Sequence, residues 1–431
     1  MTNKANARLI AFEVLADVLQ KGEYSNLLLP RKLRDSHLEP RDRAFATELV
    51  YGTLRMQGKL DFVLSKLSHR AIEELELPVL VVLRMGLYQL QEMQMPPHAA
   101  IFETVELAKS VLGKSTATFI NAILRSFQRT EIHFPSGDGI PDLAIRYSHP
   151  EWVVRALSEA RKGVELSALL EAQNVGAAPV LNCLPDLCEE GELQKHGAMK
   201  VEGSKRAFSF DGNPGDIPAV REHRALVQDL GSQIVVEEFF SAADDGTNKS
   251  SLRWLDLCAG PGGKAGYLDA LIAHGEFVAN EISEPRSKLV ANVLRRGKVT
   301  NFDGREFSSH LGTFDRILID APCSGLGALR RRPEVRWRRA PGDIAKLQQL
   351  QRELLSEAAR GLRSGGIIGY ATCSPHLTET KLQVKRFLLE HPNFVRLSVS
   401  KDRADGDGDL QLWTDIDGTD CMYLALLQRT D

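Results

Sequence analysis

The sequence predicts a multidomain protein: an all-α N-terminal domain, a small α+β middle subdomain and a Rossmann-like α/β domain at the C-terminal end. Three observations carry that prediction. Apolar residues recur at helical spacing through the first 130 or so positions, a proline- and glycine-bearing break at 134–141 is followed by a mixed pattern, and from position 253 short apolar strands alternate with helices. The boundaries drawn from these changes are 1–132, 143–224 and 225–431.

In chain order, helical spacing predicts helices over 7–20, 41–54, 60–68, 78–93, 102–112 and 116–128, with breaks at Gly22, Pro30, Pro40, Gly58, Pro78 and the Pro96, Pro97 pair. Helix resumes over 143–162, after the linker. From 179 to about 223 the pattern turns strand-like, as in the alternating run SKRAFSFDG, and 225–240 enters another helix. The stretch 241–251 is polar, without apolar periodicity, and reads as a surface turn. Strands then follow at 253–257, 276–282, 316–320, 366–372, 394–400 and 422–427, with helices over 264–273, 285–296 and 342–362. Such alternation predicts a mostly parallel sheet with helices on both faces and ligands at the carboxyl ends of its strands.

The composition is that of an ordinary globular protein, with 43% hydrophobic and 26% charged residues and a formal net charge of −3. That charge gives no global sign of a nucleic-acid partner, so such a partner must announce itself through local clusters. Apolar runs fall short of a membrane span and the start is amphipathic, so the expectation is a cytoplasmic protein with no membrane partner. The six cysteines include no CxxC pair, which argues against a structural metal, and none is assigned. Two basic groups stand out. Arg31, Lys32, Arg34, Arg41, Arg43 and Arg55 read first as a solvated face and second as a phosphate-contacting patch. Arg330, Arg331, Arg332, Arg336, Arg338 and Arg339 surround Trp337, an arrangement suited to phosphate contacts and stacking on RNA.

The chemistry begins at RWLDLCAGPGGKAG. A short strand runs into Gly260, Pro261, Gly262 and Gly263, and a helix starts near Lys264. Glycines let the backbone approach a ligand, and a helix N-terminus offers unpaired N–H groups. The next strand ends in Glu281, about 20 residues on, where nucleoside-binding folds place the acid that grips ribose hydroxyls. The loop lacks a strict GxGxxG, and Asp256 in the first strand is unwelcome to a pyrophosphate. It is compatible with the ammonium and sulfonium charges of S-adenosylmethionine, which is therefore the expected cofactor.

Two further strands end in DAPCSG, with Asp320 and Cys323, and in ATCS, with Cys373. If the strands are neighbours, both thiols reach one cleft, since parallel strands lie about 5 Å apart. Paired thiols beside a methyl donor suit alkylation of an unreactive pyrimidine carbon. A thiolate adds to C6, C5 becomes enamine-like, and a base removes the C5 proton so that the thiolate can leave. These residues leave open which sulfur attacks, because the DNA cytosine methyltransferases use a cysteine in a Pro-Cys setting.

CAGPGGK, DAPCSG and ATCS, in this order, resemble the RNA 5-methylcytosine methyltransferases, and the helical N-terminus is similar to the NusB-like RNA-binding fold. Together they resemble the RsmB/Sun family that modifies bacterial small-subunit (16S) ribosomal RNA. The resemblance covers nearly the whole chain and implies a class I methyltransferase domain with Cys373 as nucleophile, Cys323 in product release and Asp320 at the cytosine edge. It implies a donor site of Cys258, Ala259, Gly260, Pro261, Gly262, Gly263, Lys264, Glu281 on the ribose, Asp303 near the adenine and Asp320 at the rim. The implied partner is RNA, specifically 16S rRNA, and the implied state a monomer. Three places depart from the family pattern: Glu281 replaces the more usual aspartate, Pro375 to Glu379 replaces an acidic pair with asparagine, and Leu181, Asn182, Cys183 replaces Arg-Val-Asn. The rival readings are a non-catalytic RNA-binding or assembly factor, a tRNA-directed relative, and a methyltransferase for protein or small molecules.

Overall fold

The computed structural model describes residues 6–242, 251–272 and 274–431; most of the polar stretch expected to be a surface turn, 243–250, lies outside them. The chain divides into two compact units. One comprises Met1–Gly176 with Leu329–Arg339, and the other Ala177–Ala328 with Ala340–Asp431.

The first unit is all-helical. Its main helices are Ala7–Lys21, Ser25–Arg34, Pro40–Arg55, Gln57–Leu67, Leu77–Gln91, Pro97–Leu112 and Lys114–Phe127. Apolar side chains at helical spacing, among them Leu15, Leu49, Leu64, Leu83 and Leu124, are buried in one core. Six of these helices match the periodicity. The exception is Ser25–Arg34, which contains Pro30 rather than stopping there. Its first turn is capped by a residue far away in sequence. Glu334 accepts hydrogen bonds from Ser25 N–H at 3.0 Å and Ser25 Oγ at 2.8 Å, and no local signal encodes that. The single helix expected over 143–162 is two, Ile140–Arg146 and Glu151–Ala160, because Ser148 takes φ +55° just before Pro150.

In the second unit, β1 (Val180–Cys183), β2 (Met199–Lys200), β3 (Ala207–Ser209) and β4 (Ala225–Val227) form an antiparallel sheet ordered β2-β3-β1-β4. Ala225–Val227 is thus a strand of the middle sheet and not the start of a helix. The helix, Leu230–Ser241, begins after Asp229, whose carboxylate accepts from Gly231 N–H.

The larger sheet contains β5 (Arg253–Asp256), β6 (Glu276–Asn280), β7 (Lys298–Thr300), β8 (Phe314–Asp320), β9 (Leu362–Thr372), β10 (Phe394–Leu397), β11 (Leu410–Gln411) and β12 (Tyr423–Arg429). Its order is β10-β12-β9-β8-β5-β6-β7, with β11 on β12. Strands β9, β8, β5, β6 and β7 are mutually parallel, and β12 runs antiparallel to β9. The sheet is therefore Rossmann-like with an antiparallel edge. Hydrophobic clusters cover it on both sides, one including Phe239, Trp254 and Leu268, the other Leu255, Ile317, Leu355 and Tyr370.

Candidate active site

The sheet order converts a list of distant motifs into one edge. Cys373 follows β9, Asp320 ends β8 and Cys323 follows it, 258–264 follow β5, Glu281 follows β6, and Asp303 follows β7. All lie at the carboxyl ends of five consecutive parallel strands, the edge where open α/β sheets bind ligands.

The glycine loop and Glu281 are built against each other. Gly260 N–H donates to Glu281 Oε2 at 3.0 Å and Ser283 N–H to Oε1 at 2.9 Å, while Arg286 lies 3.6 Å from the carboxylate and donates to the Gly260 carbonyl. A Cβ at Gly260 would stand 2.1 Å from Glu281 Oε2, and Gly262 has φ +114°, so both positions require glycine. Each Glu281 oxygen keeps a second lone pair for a hydroxyl donor.

Asp256, at the end of β5, is fully buried, and neither side-chain oxygen has a hydrogen-bond partner. Burial and the neighbouring Asp320 charge push its pKa up to about 8. Burial and three nearby carboxylates push the Cys258 thiol well above its ordinary value, so this third cysteine is no rival nucleophile. Lys264 Nζ donates to Asp320 Oδ2 at 2.8 Å. Burial opposes its charge, but Asp320, then the Cys373 sulfur, outweigh that and raise its pKa. Asp303 is paired with Arg305 at 2.6 Å, which holds its carboxyl below the usual range.

Cys323 Sγ and Cys373 Sγ are 3.3 Å apart. The Cys323 thiol is pushed well above its ordinary value, first by its hydrogen bond to Cys373, then by burial, the Cys373 charge and the Glu379 charge. The two sulfurs are thus within hydrogen-bond reach of each other, and the environment of Cys323 favours its protonated form. Sequence reasoning missed one group behind this arrangement, since Glu379 appeared only within a departure from a motif.

The expectation that the arginines around Trp337 meet RNA is corrected for three members of the group. Arg336 is fully buried and donates to Ser148 O at 3.0 Å, Asn174 Oδ1 at 2.8 Å and Gln173 O at 3.2 Å. Trp337 Nε1 donates to Leu54 O at 3.0 Å, and Arg338 to the carbonyls of Val18 and Glu23. Buried carbonyls at helix ends need donors, and these side chains supply them. In the other basic group Arg55 is buried too, whereas Arg31, Arg34, Arg41 and Arg43 are exposed.

Comparison with known proteins agrees with this architecture. The family model described as 16S rRNA methyltransferase RsmB/F matches residues 247–428, and that of the NusB family matches 5–129. A ribosomal RNA small subunit methyltransferase B of Escherichia fergusonii is 34% identical, over 90% of this chain and 91% of its own. The chain belongs to the RsmB/F methyltransferase family. It is an S-adenosylmethionine-dependent RNA methyltransferase. Another relative, the putative methyltransferase Rv1407 of Mycobacterium tuberculosis, is 40% identical over 98% of this chain and 96% of its own. The solved structure of PH0851 shares the fold, with a TM-score of 0.84 at 21% identity over 99% of each chain.

The RsmB/F donor fits the residues at the sheet edge. A buried carboxyl at Asp256, protonated near neutral pH, and a loop too close to Glu281 for any Cβ line a cradle for an amino-acid nucleoside. The pKa of Asp256 predicts its pH behaviour. The folded state holds a proton that the unfolded chain releases near pH 4, so this group lowers stability as pH rises from about 4 to 8. Asp256→Asn should therefore raise the melting temperature at pH 8 relative to wild type, with a progressively smaller gain as pH falls toward 4. Calorimetric titration should at the same time show weaker binding of S-adenosylmethionine. Equal stability curves for the two proteins across that range would contradict the assignment.

Proposed function

We propose that this enzyme methylates C5 of a cytosine in small-subunit (16S) ribosomal RNA through a covalent bond between Cys373 and C6 of the base. The observation that carries the reading is the 3.3 Å approach of two sulfurs at the carboxyl edge of the sheet, beside the Lys264–Asp320 pair. S-adenosylmethionine supplies the electrophilic methyl group when bound. Cys258 to Lys264, Glu281, Asp303 and Asp320 would hold it, with Asp256 buried at the end of β5 beneath the loop.

The chain's own groups divide the remaining work. Cys373, 3.3 Å from Cys323 and near enough to the Lys264 ammonium for its thiolate to be stabilised, is the sulfur better prepared to attack C6. As the S–C6 bond forms, the ring's electron pair moves to C5, and Asp320 supports the edge of the base where charge develops. The sulfur that attacked has then lost its charge, and with it a cause of the raised Cys323 pKa. Cys323 is thus easier to deprotonate at the step that needs a base. It removes the C5 proton, the pair returns to the ring and the Cys373–C6 bond breaks. The target base must leave its stack to reach the thiols, which favours single-stranded or loop RNA. Every group named comes from one chain, so a monomer suffices, and a ribosomal RNA substrate puts the work in the cytoplasm.

Incubation with methyl-labelled donor and 16S rRNA, followed by nucleoside analysis, tests the reading. Label in 5-methylcytidine is the expected result, with bisulfite sequencing to locate it. Label in another nucleoside would refute the C5 chemistry. Label in 5-methylcytidine of transfer RNA alone would refute the ribosomal substrate.

A further inference from the structure

We propose that Glu379 is a positioning residue that holds the two cysteine loops face to face by gripping the serine after each cysteine. Strands β8 and β9 run side by side in parallel only as far as the Asp320–Ala371 pair, with one further bond from Ala321 N–H to the Ala371 carbonyl. Beyond it the chain makes two loops, and something other than the ladder must keep them together.

Glu379 is fully buried, as are Ser324 and Ser374. Its Oε2 accepts from Ser324 Oγ at 2.6 Å and Ser374 Oγ at 2.7 Å, which brings the two hydroxyl oxygens to 2.9 Å from each other. Its Oε1 accepts from Ser324 N–H at 2.8 Å and Gln351 Nε2 at 3.2 Å. The carboxylate is itself anchored, because Tyr370 OH donates to the Glu379 carbonyl at 2.8 Å and Gln351 Nε2 also holds Pro322 O at 2.9 Å.

One rigid acceptor thus receives equivalent hydroxyls from Cys323-Ser324 and Cys373-Ser374. A carboxylate with four donors in a buried setting is costly to disturb, since its removal leaves several buried donors short of an acceptor. The adjacent sulfurs meet because the serines do. The Glu379 charge also adds to the groups that favour the protonated form of the Cys323 thiol. The catalytic meaning of the clamp rests on the function proposed above; the spacing does not.

Oxidation of the free enzyme by diamide separates the two. Both thiols give up a proton and an electron, an S–S bond forms, and diamide is reduced to its hydrazine. Intact mass therefore falls by two hydrogens in wild type. In Glu379→Ala the rate of this closure should fall about tenfold or more, because small displacements of paired groups strongly reduce their effective concentration. The thermal transition should still be present. With cytosine RNA the same variant should accumulate covalent complex relative to methylated product, whereas a general loss of structure would lower both together.

Should Glu379→Ala fail to fold, Ser324→Ala and Ser374→Ala each remove one arm of the clamp and should each slow closure. Closure at the wild-type rate in folded Glu379→Ala, or in both serine variants, would overturn the proposal. Wild type that closes rapidly but transfers no methyl group would refute the proposed function while leaving the clamp to be judged by closure alone.

Discussion

Cys323→Ala is expected to leave the enzyme covalently joined to RNA, visible as a slow band on a denaturing gel that nuclease collapses. Cys373→Ala should give neither that band nor product. The two sulfurs are 3.3 Å apart, and the proposed function gives them different roles, with the surroundings of Cys323 favouring its protonated form. Without Cys373 there is no bond to C6, and the loss of product should be complete. Without Cys323 the adduct forms but lacks its base, a deficit of about 10²–10⁴-fold in the release step by the usual worth of general base catalysis. A 5-fluorocytosine RNA, which offers no C5 proton to remove, should trap wild type and Cys323→Ala alike. An adduct that survives in Cys373→Ala and disappears in Cys323→Ala would reverse the assignment.

The second large effect should appear far from any ligand. Arg336→Ala removes a fully buried guanidinium that satisfies two backbone carbonyls and the Asn174 side chain, and it leaves those acceptors stranded. Truncating one partner of a buried charged network costs about 3–5 kcal/mol. The transition assigned to the helical unit should therefore move down markedly in a melt followed by calorimetry, or vanish. Burial, with Arg55 as a like-charged neighbour, holds the Arg336 pKa down to about 9, so the charged guanidinium carries a burial penalty at neutral pH. The sign follows from the lowered value: above about 9 the folded state has released a proton that the unfolded chain still binds, so this group's contribution to stability rises with pH through about 9. Arg336→Lys keeps a charge but cannot reach three acceptors with one planar fork, and should recover little. A variant that melts like wild type would show that the network contributes nothing.

Much of the fold was legible in the sequence because its signals are local. The spacing of apolar residues in 7–20 or 78–93 reflects one buried helical face, and the glycines at 260–263 reflect a loop pressed against Glu281. Helix Ser25–Arg34 was not legible, since its cap is Glu334, some three hundred residues on. Nor was the break at Ser148, which rests on a left-handed backbone at a residue without any glycine-like signature.

The candidate site divides in the same way. The strand-end motifs could be placed on one edge by counting alternating elements, because parallel crossovers leave few other topologies. Glu379 gave no signal in its own neighbourhood, since its partners are serines contributed by two separate strands. The arginines around Trp337 gave a misleading one. A basic run with an aromatic is the usual mark of a nucleic-acid surface, but the same side chains also satisfy helix-end carbonyls, and composition does not distinguish the two uses.

By itself the sequence determined the order of helices and strands, the ligand loop and the kinds of reactive group available, because periodicity and glycine placement act over a few residues. Only the tertiary structure decided that the two thiols lie 3.3 Å apart, that Glu379 accepts from the serine after each of them, and that Arg336 is buried while Trp337 and Arg338 donate to carbonyls of the helical unit. Each of those depends on burial and on partners brought within about 3 Å from remote parts of the chain, and it is there, where water is excluded, that charge and hydrogen bonding become strong enough to assign roles.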